Sequence, residues 1–325
     1  MRTTPVVLLA VAVLAGCSSS GSARPGRSAT SSGPTSSAPS TSGRPWIVQR
    51  IHTGSQPCAT LGAAGSVWVA DLSDSVVKRL DPKTGRTTAH YRTASGPCGM
   101  AYGAGAVWVE DYNANAVTRI DVASGRVRNY RVGQSPYDVA FTAGAAWVTN
   151  YGDSTVTRVD ARTGRTTAIE VGAQPQGIAP AAGALWVADS GQQEITRIDA
   201  RTNETTSIRC EGFPAWTAFD GNTVWVGDQT NGEIVEVDAT TSKIVRRSKV
   251  GSTPNDGDVS GGAIWFPDKI GGLYRVDEQT HRVSGPFALG AGNPFVLDSY
   301  AGKLWIADFG GTDTIVVDPA KLPSS

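Results

Sequence analysis

Histidine is scarce in this 325-residue chain, which contains only three. His52 and His90 fall in segments that the repeat pattern described below predicts to be outer strands, and His281 follows a predicted hairpin turn. Histidine is the side chain that most often serves as a general base near neutral pH. None of the three maps to the loops where we expect a binding site, so the sequence offers no candidate for histidine-based catalysis there.

An excess of either charge is also absent, because 29 Lys and Arg residues balance 29 Asp and Glu residues. A protein that binds nucleic acid through its phosphates needs a strongly basic face. We therefore expect no nucleic-acid partner.

Long apolar runs are missing except for a short one at residues 6–14, which follows Arg2 in the manner of a secretory signal and is too short to span a bilayer. The next residues, Leu14-Ala15-Gly16-Cys17, resemble the lipobox of bacterial lipoproteins. This resemblance implies a signal peptide over residues 1–16 and a lipid on Cys17. The chain would then be anchored to the extracytoplasmic side of the bacterial cell membrane by the lipid alone. An ordinary signal peptide is the alternative.

Residues 17–45 are dominated by Ser, Thr, Pro and Gly. Such a composition does not bury enough apolar surface to fold. We expect a disordered tether.

A repeat with a period of 39 or 40 residues fills the remainder of the chain. Its clearest copy is residues 144–179, where an apolar run around Trp147 precedes two further strand-like segments and a turn at Pro175. The equivalent tryptophans are Trp68, Trp108, Trp186, Trp225, Trp265 and Trp305, and a proline precedes each of the seven by eleven residues. Four strands in a period near 40 are typical of a β-propeller blade. We predict an all-β, seven-bladed propeller over residues 46–322.

The ends of this domain predict how the ring closes. Residues 46–52 alternate like the fourth strand of a blade, but no first three strands precede them, whereas residues 294–318 lack a fourth. We expect the N-terminal strand to complete the last blade, since closure removes open sheet edges.

Two acidic positions recur in the repeats. The first ends the third strand, as at Asp160 before Thr163-Gly164, and is predicted to cap a hairpin turn. The second lies three residues after the tryptophan and includes Asp111, Asp228 and Asp268. Its loops are expected at the channel mouth. Two interpretations of this second set remain open. The acids cap turns, or they form a ring of carboxylates that binds a cation or an amine.

Positions where the repeats disagree are better site candidates than the shared scaffold. The residues just after the seven prolines vary most, and Asp258 and Asp298 replace small apolar residues in the last two blades. Aromatic rings beside carboxylates suit a cationic or carbohydrate-like ligand. The ligand-binding candidates are Asp111, Tyr112, Tyr137, Asp138, Trp216, Asp228, Asn255, Asp256, Asp258, Asp268, Phe295 and Asp298. A hydrated channel without a ligand is the alternative.

A metal ion is the one cofactor that this set suggests. Asp256, Asp258 and Asp298 form a candidate group for Ca²⁺ or Mg²⁺, because these hard cations prefer oxygen ligands.

Two cysteines share one register in adjacent repeats, Cys58 and Cys98. Equivalent positions around a narrow channel can approach the roughly 5.5–6 Å between Cα atoms that a disulfide needs. Exported proteins keep such bonds. We expect a disulfide, with two free thiols as the alternative.

The segment WVTNYGDSTVTRVDARTG resembles the YVTN/NHL type of propeller repeat, and residues 46–318 are similar to the seven-bladed group that contains virginiamycin B (streptogramin B) lyase. In that family a His after the turn proline, a nearby Glu and Mg²⁺ open a cyclic depsipeptide by elimination. Here Asn255 and Phe295 stand after the corresponding prolines, and Asn293 stands where Glu is expected. The resemblance therefore implies the scaffold but not the catalytic residues, which stay unknown.

These observations favour a membrane-anchored, monomeric propeller that binds a small molecule, glycan or protein partner at its channel mouth without catalysis. The alternative is a streptogramin-lyase-like or metal-assisted lyase or hydrolase that uses carboxylates of the same face. A scaffold for envelope proteins is a third class, because the fold alone does not decide function.

Overall fold

The computed structural model describes residues 43–323. The predicted signal peptide, Cys17 and nearly all of the predicted tether lie outside the described residues. The described part contains seven four-stranded antiparallel sheets, so the predicted seven-bladed propeller is confirmed. No helix in this part is long and apolar enough to cross a membrane.

The first four blades each use consecutive strands. Their strands are β2 (Pro57–Ala63), β3 (Ser66–Asp71), β4 (Val76–Leu80) and β5 (Thr87–Arg92) in blade 1; β6 (Pro97–Gly103), β7 (Ala106–Asp111), β8 (Ala116–Asp121) and β9 (Val127–Arg131) in blade 2; β10 (Pro136–Thr142), β11 (Ala145–Asn150), β12 (Thr155–Asp160) and β13 (Thr166–Glu170) in blade 3; and β14 (Pro175–Ala181), β15 (Ala184–Asp189), β16 (Glu194–Asp199) and β17 (Thr205–Arg209) in blade 4.

The last three blades complete the ring. Their strands are β18 (Pro214–Asp220), β19 (Thr223–Asp228), β20 (Glu233–Asp238) and β21 (Lys243–Lys249) in blade 5; β22 (Asp258–Val259), β23 (Ala263–Pro267), β24 (Gly272–Asp277) and β25 (Val283–Ala288) in blade 6; and β26 (Pro294–Tyr300), β27 (Lys303–Asp308) and β28 (Asp313–Val317) with β1 (Ile47–His52) in blade 7. Two short 3₁₀ turns, Tyr112–Ala114 and Pro319–Lys321, accompany them.

The N-terminal strand closes the ring as predicted. β1 pairs antiparallel with β28, and the order in blade 7 is β1-β28-β27-β26. The innermost strands contact each other in sequence around the channel, and β26 meets β2. Each blade is therefore covered on both sides by neighbours.

The repeated tryptophans lie in the core between blades. All seven are at most 6% exposed. Trp147, for example, packs among Ile178 and Leu185 of the next blade. Its indole N–H donates to the carbonyl of Thr142, 3.2 Å away, which satisfies the one polar atom of the ring. Replacing such a buried ring by alanine costs about 3–5 kcal/mol.

The aspartates that end the third strands are hairpin caps, as predicted. Asp160 accepts hydrogen bonds from the backbone and the hydroxyl of Thr163 at 2.8 and 2.7 Å. These hydrogen bonds hold the pKa of its carboxyl below the usual range. Gly164 takes the positive φ of +75° that the turn requires. This set of acids is structural.

Candidate functional site

The residues that follow the turn prolines converge on one cavity. It is lined by the first residues of the inner segments of blades 2 to 7, so the most variable part of the repeat meets at a single place. The lining residues are Cys98, Gly99, Tyr137, Asp138, Gln176, Gly177, Ala215, Trp216, Gln229, Asn255, Asp256, Phe295 and Val296. The cavity measures about 40 Å³. A water needs roughly 10–15 Å³ on this measure, so only a few fit.

Close packing of the inner segments keeps the cavity small. A Cβ atom on Gly177 would lie 2.6 Å from the backbone N of Thr217 and 2.6 Å from the Cα of Trp216. Gly227 leaves the space that the Trp216 indole occupies. That indole is 4% exposed and donates from Nε1 to the carbonyl of Pro254, 3.0 Å away. Trp216 is therefore a wall of the cavity rather than a free side chain.

The side of the mouth between blades 7 and 2 is apolar. Cys58 and Cys98 form a disulfide with their Cα atoms 5.1 Å apart. Phe295 and Phe309 pack against this bridge, with ring centroids 5.3 Å apart. The neighbouring blade 3 adds Tyr137 and Tyr151, whose ring centroids are 6.0 Å apart.

Two carboxylates also line the cavity, Asp138 of blade 3 and Asp256 of blade 6. Asp138 accepts hydrogen bonds from the backbone N–H of Val139 at 2.7 Å and of Ile178 in the next blade at 3.1 Å. Burial nevertheless raises the pKa of this carboxyl to about 7. Asp256 has a pKa well above its ordinary value, because it is buried and lies near Asp138 and Asp258.

Glu110 lies directly behind the lining residue Gly99, and the sequence reasoning missed it. Its Oε1 accepts from the backbone N–H of Gly99 at 2.9 Å. Its Oε2 is buried and has no hydrogen-bond partner, and the side chain is 1% exposed. Burial and the nearby Asp111 and Asp138 carboxylates raise its pKa well above the ordinary value. The sequence does contain a signal for Glu110, because it is the one acid at the second position after the repeat tryptophan. The other blades have Ala70, Thr149, Ala188, Gly227, Pro267 and Ala307 at this position.

Asp258 and Asp298 do not line the cavity. Asp258 accepts from the backbone N–H and the hydroxyl of Ser299 in blade 7, at 2.9 and 2.5 Å. Asp298 accepts from the backbone N–H of Gly62 in blade 1, at 2.6 Å. These two acids brace the seams between blades.

The expected metal group is consequently not assembled. Asp256, Asp258 and Asp298 belong to separate hydrogen-bond sets, and no three or more His, Cys, Asp or Glu side chains in residues 43–323 are placed to share an ion. The Mg²⁺ of the lyase resemblance does not fit either. Asn255 offers an amide and Phe295 a phenyl ring after the corresponding prolines.

The acids that follow the second strands are loop braces. Asp228 accepts from the backbone N–H of Phe213 at 2.9 Å, and Asp268 accepts from that of Gly272 at 2.6 Å. Asp111 accepts from the hydroxyl of Thr118 at 2.6 Å. All three are buried and none lines the cavity, so the structure favours turn caps over a ligand ring. Tyr112 is 38% exposed and also lies outside the lining.

The histidines lie away from the cavity. His281 contacts Glu236 of blade 5, with 3.0 Å between Nδ1 and Oε1, and His52 faces Asp313 at 3.7 Å. His90 lies on the outer strand β5. The cavity lining contains no histidine.

Comparison with known proteins supports the fold. A family model described as a repeat of unknown function (DUF6923) matches residues 27–154. No curated protein matches the chain.

Several solved structures share the architecture. Virginiamycin B lyase from Staphylococcus aureus superposes with a TM-score of 0.74 at 16% identity, covering 83% of this chain and 98% of the lyase. A catalytically inactive histidine-to-alanine variant of that lyase, with quinupristin, gives the same values. Hydrazine synthase from Kuenenia stuttgartiensis gives a TM-score of 0.71 at 13% identity, covering 83% of this chain and 97% of that one. At such identities the likeness shows a common fold and no more.

Proposed function

We propose that this protein is a membrane-anchored, extracytoplasmic propeller that binds a ligand at its channel mouth without catalysis. One observation carries the proposal: the positions at which the repeats disagree line one cavity, whereas the shared positions build the blades. In a repeat protein the shared positions build the scaffold, so departures that meet at one place favour a binding site.

The composition of the mouth supports binding rather than catalysis. Its lining combines aromatic rings, amides and carboxylates, which suit a cationic ligand, and it contains no histidine of the kind that the lyase resemblance requires. Asp138 is tied to two backbone N–H groups, which hold the carboxylate in place. Anchoring rests on the lipobox resemblance at Cys17.

A lyase-like activity is the rival, since the fold is similar to that of virginiamycin B lyase. Incubating the full chain with quinupristin and separating the products by chromatography tests this rival. We expect quinupristin to be recovered unchanged. Conversion that Asp256→Asn abolishes would replace the binding proposal with an enzymatic one.

Filling the cavity tests the binding proposal itself. Val296 lines the cavity and is only partly buried, so Val296→Phe adds bulk where the fold can accommodate it. Val245→Phe, on the outer strand of blade 5 and 58% exposed before the change, is the matched control. The probes are 2-phenylethylamine, maltose and quinupristin, measured by calorimetry on the full chain. We expect at least one to bind wild type and the control but not Val296→Phe. Equal binding to all three proteins, or no binding of any probe, would contradict the proposal.

A further inference from the structure

The cavity presents acceptors and lacks a cation to pair with them. Asp138 and Asp256 line it, Glu110 lies directly behind Gly99, and no Lys, Arg or His is among the lining residues. Lys269 approaches the rim from outside, where its Nζ donates to Oε1 of the lining residue Gln229 at 3.3 Å. Buried carboxylates without a charge partner are costly.

Two buried side-chain oxygens at or next to the cavity receive no hydrogen bond. This observation does not depend on the charge of the carboxylates. Asn255 lines the cavity, is 1% exposed and donates from Nδ2 to the carbonyl of Pro294 at 2.8 Å, but its Oδ1 has no partner. Oε2 of Glu110 is in the same state. An unpaired buried polar group costs about 1–3 kcal/mol. A ligand that brings an N–H donor into the cavity would remove the cost at Asn255.

The size of the cavity and the residues that line it limit which hydrogen-bond-donating group of a ligand can enter. About 40 Å³ admits a small group such as an ammonium, but not a sugar ring. Within residues 43–323, no three His, Cys, Asp or Glu side chains are placed to bind one metal ion. Tyr137, Trp216 and Phe295 place aromatic rings around the same space, and rings of this kind attract cations. Phe309 and the disulfide beyond them form an apolar shelf.

We infer that the ligand is an amine whose ammonium group enters the cavity between Asp256, Asp138 and Asn255, while its apolar body lies against Phe295 and Phe309. This inference rests on the proposed function and specifies the ligand class. An ammonium donates three hydrogen bonds, which matches the acceptor oxygens of Asp138, Asp256 and Asn255 in the lining. The raised pKa values of Asp138 and Asp256 agree with a site that lacks its cation.

Calorimetry of the full chain at pH 8 with 2-phenylethylamine and its neutral analogue 2-phenylethanol tests the inference. We expect saturable binding of the amine and at least about tenfold weaker binding of the alcohol, which is about 1.4 kcal/mol. Asp256→Asn and Asn255→Ala should each weaken amine binding by a similar factor. Asp74→Asn removes an exposed carboxylate outside the cavity lining, and it should leave the affinity unchanged.

Several results would overturn the inference. They are equal affinity for amine and alcohol, unchanged affinity in Asp256→Asn when circular dichroism shows a folded variant, and competition of the amine by Mg²⁺ or Ca²⁺. If maltose or quinupristin binds and Val296→Phe blocks it while the amine does not bind, the proposed function survives and the amine assignment is wrong. Asp138→Asn provides a second carboxylate variant should Asp256→Asn fail to fold.

Discussion

Equivalent positions in two blades carry buried polar side chains of different chemistry. Asp111 in blade 2 and Asn150 in blade 3 both end a second strand and are fully buried. Asn150 donates from Nδ2 to the hydroxyls of Thr155 and Thr157, each at 2.9 Å. Asp111 accepts from Thr118 but has a second oxygen without a partner. The amide satisfies its surroundings better than the carboxylate does.

Asp111→Asn should therefore stabilise the protein at alkaline pH. Burial raises the pKa of Asp111 to about 7, so the folded state binds more protons than the unfolded state between about pH 4 and 7. Stability falls as the pH rises through this window, and the penalty is fully present above it. Asparagine does not ionise, so we expect a gain of about 1–3 kcal/mol at pH 8 and little change at pH 4.

Urea unfolding at the two pH values measures this difference. Asp121→Asn is the opposite control, because hydrogen bonds from Ser124 lower the pKa of this exposed hairpin cap. The Asp121→Asn change should cost stability at pH 8, and the cost should disappear in an additional measurement at pH 2, where the carboxyl is protonated. A variant of Asp111 that is less stable than wild type at pH 8 would refute the explanation.

At the scale of the element, blade 6 departs from the other six. Its inner strand β22 has only two residues, whereas each of the other innermost strands has seven. Asp256 instead forms a parallel bridge with Val296, and the N–H of Leu297 donates to the carbonyl of Asp256 at 3.1 Å. This irregular segment carries Asn255 and Asp256 into the cavity. The proline register predicted an inner strand of the same length as in the other blades, but it does not reveal that Asn255-Asp256-Gly257 interrupts the pairing.

Gly257 makes that irregular path possible, so Gly257→Ala should destabilise the fold. A Cβ atom at this position would overlap the carbonyl oxygen of Trp265, and backbone cannot move aside cheaply. We expect a loss of about 2 kcal/mol or more in urea unfolding. Gly105→Ala meets no atom within 4 Å and carries only the strain of a positive φ, so it should cost less. Equal costs would show that the contact at Gly257 is unimportant.

The closing strand β1 is the element on which the ring depends. Deleting residues 46–53 would leave the edge of β28 unpaired and remove the hydrogen bond between the hydroxyls of Thr53 and Thr314. We expect the protein to unfold or aggregate, because an open sheet edge pairs with other chains. Thermal melting and light scattering measure the two outcomes. Deleting residues 20–40 should leave the melting temperature unchanged. A truncated protein that melts like the full chain would contradict the closure.

For the whole molecule, the sequence predicted the architecture far better than the site. Seven tryptophans and seven prolines in one register indicate the number of blades and the way the ring closes. The prediction is reliable because the same strand pattern occurs in seven copies. The site depends on single departures, and sequence did not separate Asp138 and Asp256, which line the cavity, from Asp258 and Asp298, which brace blade seams. Glu110 was missed because only packing shows that its carboxylate is buried and unpaired.

Attachment to a membrane is a prediction at the same scale. In a bacterial host, Cys17→Ser should move the full chain from the membrane fraction to the soluble fraction, because the thiol that receives the lipid is lost. Ser18→Ala, one residue further on, should stay in the membrane fraction. An unchanged distribution of Cys17→Ser would refute the lipid anchor.

An amine is inferred to bind where the departures from the repeat meet. A crystal structure of the protein with 2-phenylethylamine tests it most directly. We predict the amine nitrogen within about 3 Å of Asp256 or of Oδ1 of Asn255, and the phenyl ring against Phe295. A cavity that holds only water at saturating amine, or an amine bound elsewhere on the propeller, would contradict the account.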